Sequence, residues 1–296
     1  MDTEHPVALL DDPSKIELTD RAFIAAAVRR LERPGRLIEL LDTIGKPAEA
    51  VIHGLPRWAS TRVERAVERA LLEAVGWAAK TLDGSLHAEE KHVSTLANAV
   101  VKSRAAMHVT AAAILGGIGG AVGLAALPFE LPATTMVILR SIAAIARDFD
   151  ADLSDPATRL ECVSVLSLGG PSSTTDAMES SYLTSRVGLA LLLRDASRYL
   201  AGRSTFQLSE ALARGAAPEV MRLIGAIAGR FGCLALDLAY AEMVPIVGAF
   251  GGATLNGYFA NFFNRVAFYH FGLRRLERIY GEELVQHIYR REMRGI

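Results

Sequence analysis

Strands are the first thing this sequence lacks. No run alternates apolar and polar residues between turn signals, so sheet folds are excluded and an all-α fold remains. Cysteine is nearly absent. Cys162 and Cys233 are the two present, without CxxC spacing, which excludes a disulfide framework and leaves two reduced core thiols. An excess of positive charge is missing too. The net charge is −1 and the pI near 6.7, so no global field draws in nucleic acid. There is no GxxxxGK[ST], which excludes a P-loop, and no GxSxG, so Ser172 and Ser173 after Gly169-Gly170 read as a polar loop. The pair Gly117 and Gly119 is preceded by no strand and is no dinucleotide fingerprint. In HAEEKH, His87 and His92 are five apart where one-face zinc ligation needs four, so the motif reads as a solvated helix start and no metal is expected. The opening residues, MDTEHPVALLDDPSK, are acidic and lack the basic-then-apolar order of a signal peptide, which implies a cytoplasmic protein.

What is present is apolar residue content gathered into segments. Hydrophobic residues make up 51% of 296 and mean hydropathy is +0.24, although 22% of residues are charged. The densest stretch is VTAAAILGGIGGAVGLAALPFELPATTMVILRSIAAIAR, from Val109 to Arg147. It has no charge between His108 and Glu130, and Arg140 is the single charge between Glu130 and Arg147. Such a run spans a membrane, dips into one, or fills a helical core. A second uncharged stretch lies between Glu242 and Arg265. Glycines four apart recur at Gly116/Gly120, Gly119/Gly123, Gly225/Gly229 and Gly248/Gly252, a spacing that lets helix backbones approach closely.

Three sections divide the chain. Residues 1–18 read as a flexible arm broken by Pro6 and Pro13, and residues 19–55 as a short helical extension. Residues 56–296 form the main helical domain. Within it, the segment from Arg57 to Leu82 is amphipathic, with Arg65 and Arg69 set for surface ion pairs. Ser154 or Asp155 caps the next helix after the central stretch, with Pro156 at its first position. Helices are expected at Tyr182 to Leu200, Phe206 to Arg214, Val220 to Asp237, and from about Gly251 to the stop at Gly281, before a short tail helix. The long aromatic helix reads as core, as do His108 and His270. The arginines Arg274, Arg275, Arg278, Arg290, Arg291 and Arg294 give the C-terminal end a local positive bias, diluted by glutamates.

The run LP-x-TT-xxx-LRSI-xx-IA from Leu131, the aspartate-rich turn ending in DP, the RLEC helix start and the LGG stop together resemble the EcsC family of bacterial proteins. The run PIVGAFGGATLNGYFANFFNRVAFYHFGLRRLERIYG, from Pro245 to Gly281, is similar to the second signature of that family. The resemblance covers roughly Pro56 to Tyr289. It implies a bacterial cytoplasmic protein, peripheral to or partly inserted in the inner membrane. Its partner would be membrane lipid or a membrane protein; an ABC transporter is implied only by the gene for which the family is named. It supplies no catalytic residues and no cofactor.

The charges nearest the central stretch are the candidates for a polar site in an apolar core: Glu130, Arg140, Arg159 and Glu161. A charge in such surroundings needs a partner. Buried pairing that fixes helix register is one reading. An anionic ligand or lipid headgroup held by Arg140 is the other. Two functional readings fit these features. One is a membrane-associated helical protein that binds lipid or serves a membrane transporter. The alternative is a soluble closed helical bundle acting as a binding module or an uncharacterised hydrolase.

Overall fold

The structure is a computed structural model that describes residues 16–32, 57–78, 127–168, 182–243 and 245–295. Among the described residues there are nine α-helices and no strand. They are α1 (Leu18–Leu31), α2 (Arg57–Ala78), α3 (Leu127–Asp148), α4 (Pro156–Ser164), α5 (Tyr182–Leu200), α6 (Thr205–Ala213), α7 (Pro218–Met243), α8 (Pro245–Tyr280) and α9 (Glu282–Met293). A short 3₁₀ turn, Val165–Ser167, extends α4. The motif HAEEKH, His108, the glycines between Gly116 and Gly123, and Ser172 and Ser173 lie outside the described residues.

Local chemistry places several helix ends. Asp155 caps α4 by accepting a hydrogen bond from the Ala157 N–H at 3.0 Å, and Pro156 occupies the first position, where its missing N–H is no loss. A reciprocal capping box opens α6. Ser204 Oγ accepts from the Gln207 N–H, and Gln207 Oε1 accepts from the Ser204 N–H. Gly281 turns α8 into α9 with φ of 91°, a backbone shape that side chains resist. The last long helix begins at Pro245, earlier than the aromatic run suggests, because proline suits a first turn.

Helix α8 is the axis of the bundle. It packs against α3, α7, α9 and α1, while α2 lies between α3 and α7. Phe259, Phe263, Phe268 and Phe271 of α8 are buried, so its aromatic stripe is core. Phe263 lies 4.9 Å from Phe259 and 6.0 Å from Phe231 of α7, between ring centroids. Cys162 is a free thiol in the core, whereas Cys233 is only half-buried. On the outer face of α2, Arg69 pairs with Glu73 at 3.0 Å, the four-residue spacing expected of that face.

Helix α3 is apolar and long enough to cross a membrane. Its window Pro128–Asp148 has a mean hydropathy of 1.4, yet 61% of it is buried in the fold. Its apolar face therefore already packs on α2 and α8, and composition alone is weak support for insertion.

A close approach fixes α1 against α8. Any Cβ at Gly272 would lie 2.3 Å from the ring of Phe23. That ring cannot swing aside, because Phe149, Phe268 and Tyr269 surround it at 6.5, 5.5 and 5.5 Å. Gly272→Ala should therefore destabilise the fold by about 1–3 kcal/mol through overpacking. In a urea-denaturation double-mutant cycle, adding Gly272→Ala to Phe23→Ala should cost far less than adding it to the wild type.

Candidate functional site

Helix α8 carries three polar side chains through an otherwise apolar face. His270, Arg274 and Glu277 stand at i, i+4 and i+7, so they form one line along the helix. His270 and Glu277 are buried. Burial makes their partners obligatory, since an unpaired polar group in the core costs several kcal/mol.

The partners come from four other helices or their ends. Tyr182, the first residue of α5, places its hydroxyl 2.8 Å from His270 Nδ1. Glu161 of α4 places Oε1 3.1 Å from His270 Nε2. An ionised carboxylate only accepts, so Nε2 carries the imidazole proton and Nδ1 accepts from the Tyr182 hydroxyl. Arg274 Nε sits 2.8 Å from the same Glu161 oxygen, an ion pair off the line of its N–H. One helical turn along α5, Arg186 donates two hydrogen bonds of 2.6 Å to the two oxygens of Glu277, a bidentate pair. Arg274 Nη1 adds a third bond to Glu277 at 3.0 Å. Glu282 of α9 lies 3.5 Å from Arg186. Glu32, at the end of α1, accepts from the Tyr182 N–H at 3.3 Å and from the Tyr289 hydroxyl at 2.8 Å.

The electrostatics are set by this packing. Burial alone would raise the Glu161 carboxyl. The hydrogen bond from His270 and the charges of Arg274 and Arg186 outweigh it and hold the group down at about 2. Burial pushes His270 below its usual value despite the neighbouring Glu161, so the imidazole is neutral. Burial also raises the Tyr182 hydroxyl, which stays protonated. Arg186 is held above its usual value because its bonds to Glu277 overcome its own desolvation.

A search of family models matches residues 40–276, most of the chain, to the EcsC protein family. This chain belongs to the EcsC family. No curated protein and no solved structure matches it. Glu161, Tyr182, Arg186, His270 and Arg274 all lie inside the EcsC match, while α1 and α9 lie outside it. In this EcsC chain the two outer helices therefore close over a network whose centre lies within the matched residues.

The four charges singled out from the sequence do not converge. Arg140 is exposed on α3, about 15 Å along the axis from Glu130 by helical rise. Glu130 is half-buried in the first turn of α3, where a carboxylate meets the positive helix end. Arg159 is buried, but its donors go to backbone carbonyls: Ala78 at 2.5 Å, Leu153 at 2.6 Å and Ser154 at 2.7 Å. It closes the end of α2 onto the aspartate-rich turn. Glu161 alone joins the network. Reasoning from sequence missed Tyr182, Arg186, Arg274 and Glu277; the signal available was the i, i+4, i+7 polar line in an aromatic helix. Three of the C-terminal arginines that give that end its positive bias have partners within the fold, although Arg278 is itself exposed. Arg274 meets Glu161, Arg275 lies 3.1 Å from Asp150, and Arg278 donates to the Phe149 carbonyl at 2.5 Å.

A hydroxyl–imidazole–carboxylate chain is the order of groups used for nucleophilic activation. Here the Tyr182 side chain is fully enclosed, so no substrate reaches its oxygen, and the chain acts as a clamp between α4, α5 and α8. Among the described residues, no three His, Cys, Asp or Glu side chains gather to hold a metal. A groove of about 270 Å³ opens elsewhere, between α2 and α7, lined by Val63, Val67, Met221, Ile224, Ala228 and Leu236, with Gly225 and Gly232 along one edge and Glu64 and Glu68 at the rim.

Two outcomes test these assignments. Arg186→Ala leaves buried Glu277 with Arg274 as its one remaining cation and should cost about 3 kcal/mol in chemical denaturation, whereas Arg140→Ala should stay within about 0.5 kcal/mol. The second concerns pH. His270 is neutral when folded but binds a proton below about 6.5 when unfolded, so the unfolded state gains protons and stability falls as pH drops below that value. Glu161 adds stability above about 4.3 that is lost as pH falls from there toward 2. Thermal melts across pH 7.5 to 5 should decline with a slope of up to about 1.4 kcal/mol per pH unit for this one proton, and His270→Gln should remove that slope.

Proposed function

We propose that this EcsC protein is a peripheral, membrane-associated protein of the cytoplasmic face, and that it binds lipid by taking an apolar chain into the groove between α2 and α7. One observation carries the reading, the open apolar groove with a glycine edge. A Cβ built at Gly225, Gly229 or Gly232 meets nothing within 4 Å. Glycines four apart, as at Gly225 and Gly229, were expected to let two backbones pack closely, but among the described residues no neighbour uses the space at these positions. Glycine inside a helix costs about 1 kcal/mol relative to alanine, and among the described residues no packing gain offsets it here. The space suits a ligand. At about 270 Å³ the groove is just below the ordinary range for small-molecule sites, and its floor, with Val63, Val67 and Ile224 buried, is apolar.

The rim gives the ligand an orientation. Glu64 and Glu68 would repel a carboxylate or phosphate, so the headgroup lies away from α2. Peripheral association also agrees with the burial of most of α3, whose apolar face is occupied by the bundle rather than available to a bilayer.

The test is lipid extraction and mass spectrometry on protein purified without detergent. A stoichiometric phospholipid or fatty acid is expected. Gly225→Leu with Gly232→Leu should fill the groove and abolish the bound lipid while leaving the melting temperature unchanged or higher, since both replacements favour helix. An empty wild-type protein would overturn the lipid reading and leave a closed helical bundle.

A further inference from the structure

The chain is acidic overall, yet its positive charge is unevenly placed. Residues 182–236 hold seven arginines, no lysine and three carboxylates, a local charge of +4 in a chain of net −1. These residues form α5, α6 and most of α7. Helices α5 and α7 run side by side and antiparallel: Arg230 of α7 donates to the Ser185 hydroxyl near the start of α5, and the Tyr199 hydroxyl near its end donates to the Ala216 carbonyl just before α7, at 2.9 Å.

The outward face of α5 is apolar and then basic. Val187, Leu191, Arg194 and Arg198 are spaced at steps of four, three and four, which puts them on one side of the helix. Val187 is 61% exposed and Leu191 60%, both large apolar side chains facing water. Phe206, just past the end of α5, is 73% exposed, and Met221 of α7 is 37% exposed. Exposed cations lie on the same helices α5 and α7. Arg198 and Arg222 are exposed and make no ion pair among the described residues. Arg194 has only its neighbour Asp195, at 3.5 Å, on the surface.

We propose that this α5–α7 face docks the protein on an anionic phospholipid bilayer, with Val187, Leu191 and Phe206 entering the headgroup boundary and Arg194, Arg198 and Arg222 meeting lipid phosphates. The proposal rests on the membrane reading above and names the surface and the lipid class that serve it. Exposed apolar residues ringed by cations are what a surface-lying amphipathic element needs. Guanidinium groups suit phosphate because they present a planar fork of donors. Of the C-terminal arginines, Arg274 and Arg275 pair with Glu161 and Asp150 and Arg278 donates to the Phe149 carbonyl, while Arg290, Arg291 and Arg294 are exposed on or just after α9.

Vesicle flotation with the full chain tests it, using phosphatidylcholine alone and phosphatidylcholine mixed with phosphatidylglycerol, at low and high salt. The wild type should bind the anionic vesicles and weaken with salt. Arg198→Gln with Arg222→Gln should lower that affinity by about 25-fold, roughly fivefold for each cation lost. Val187→Ser with Leu191→Ser should remove the part of binding that survives high salt. Both double variants should keep the wild-type melting temperature and, in the extraction experiment, the wild-type bound lipid, because neither touches the groove. Equal binding to neutral and anionic vesicles would overturn the choice of lipid. Wild-type flotation by both variants would overturn the face while leaving membrane association standing. Failure of the wild type to float on any vesicle would overturn docking and membrane association together. A change of oligomeric state in Val187→Ser with Leu191→Ser, without a change in flotation, would assign the face to a second copy and overturn the membrane proposal.

Discussion

The bidentate pair between Arg186 and Glu277, continued through Arg274 and Glu161 to His270 and Tyr182, is the constraint on which the bundle depends. Apolar packing is non-directional and would tolerate many registers between helices. Buried donors and acceptors are not so tolerant. Each must meet its partner within hydrogen-bond reach, or the core keeps a costly unsatisfied group. Helix α8 presents its three polar residues at one set of heights. Helices α4 and α5 must bring Glu161, Tyr182 and Arg186 to those heights. Glu32 and Tyr289 then tie α1 and α9 to the same point.

That arrangement separates the inside of the molecule from its outside. At the centre of the polar network Arg186 and Arg274 face Glu277 and Glu161, and the imidazole beside Glu161 is neutral. Little of it is left over for a ligand. The features without internal use lie elsewhere, in the open groove beside α7 and the basic, apolar outer face of α5. Helix α7 contributes to both. Its buried positions pack on α8, one flank borders the groove, and Arg222 lies on its outer surface.

Several local features were legible in the sequence because short-range chemistry decides them. Asp155-Pro156 marks a helix start, Gly281 a helix stop, and the charge pattern of α2 a solvated outer face. The aromatic run of α8 reads correctly as core. The candidate site was far less legible. Glu161 was found because it stands near an apolar stretch, but its partners His270 and Arg274 are more than a hundred residues away. Arg140 looked buried because its neighbours are apolar, yet a helix has an outer face and Arg140 lies on it. Arg159 was a candidate for a polar site, but its donors are taken up by backbone carbonyls, one at the distant end of α2 and two in the turn before α4.

What the sequence determined by itself was the all-α class, several of the helix ends and the family, since these rest on periodicity, caps, prolines and contiguous motifs. Only the tertiary structure decided which charges are satisfied inside and which remain outside. Arg274 and Arg198 are both arginines on amphipathic helices, and nothing local distinguishes them. One meets Glu161 across the core and the other meets water, because pairing depends on which helix lies opposite. The same holds for glycine. Gly272 admits the ring of Phe23, while Gly225 meets no neighbour among the described residues, and that difference arises from the neighbouring helix.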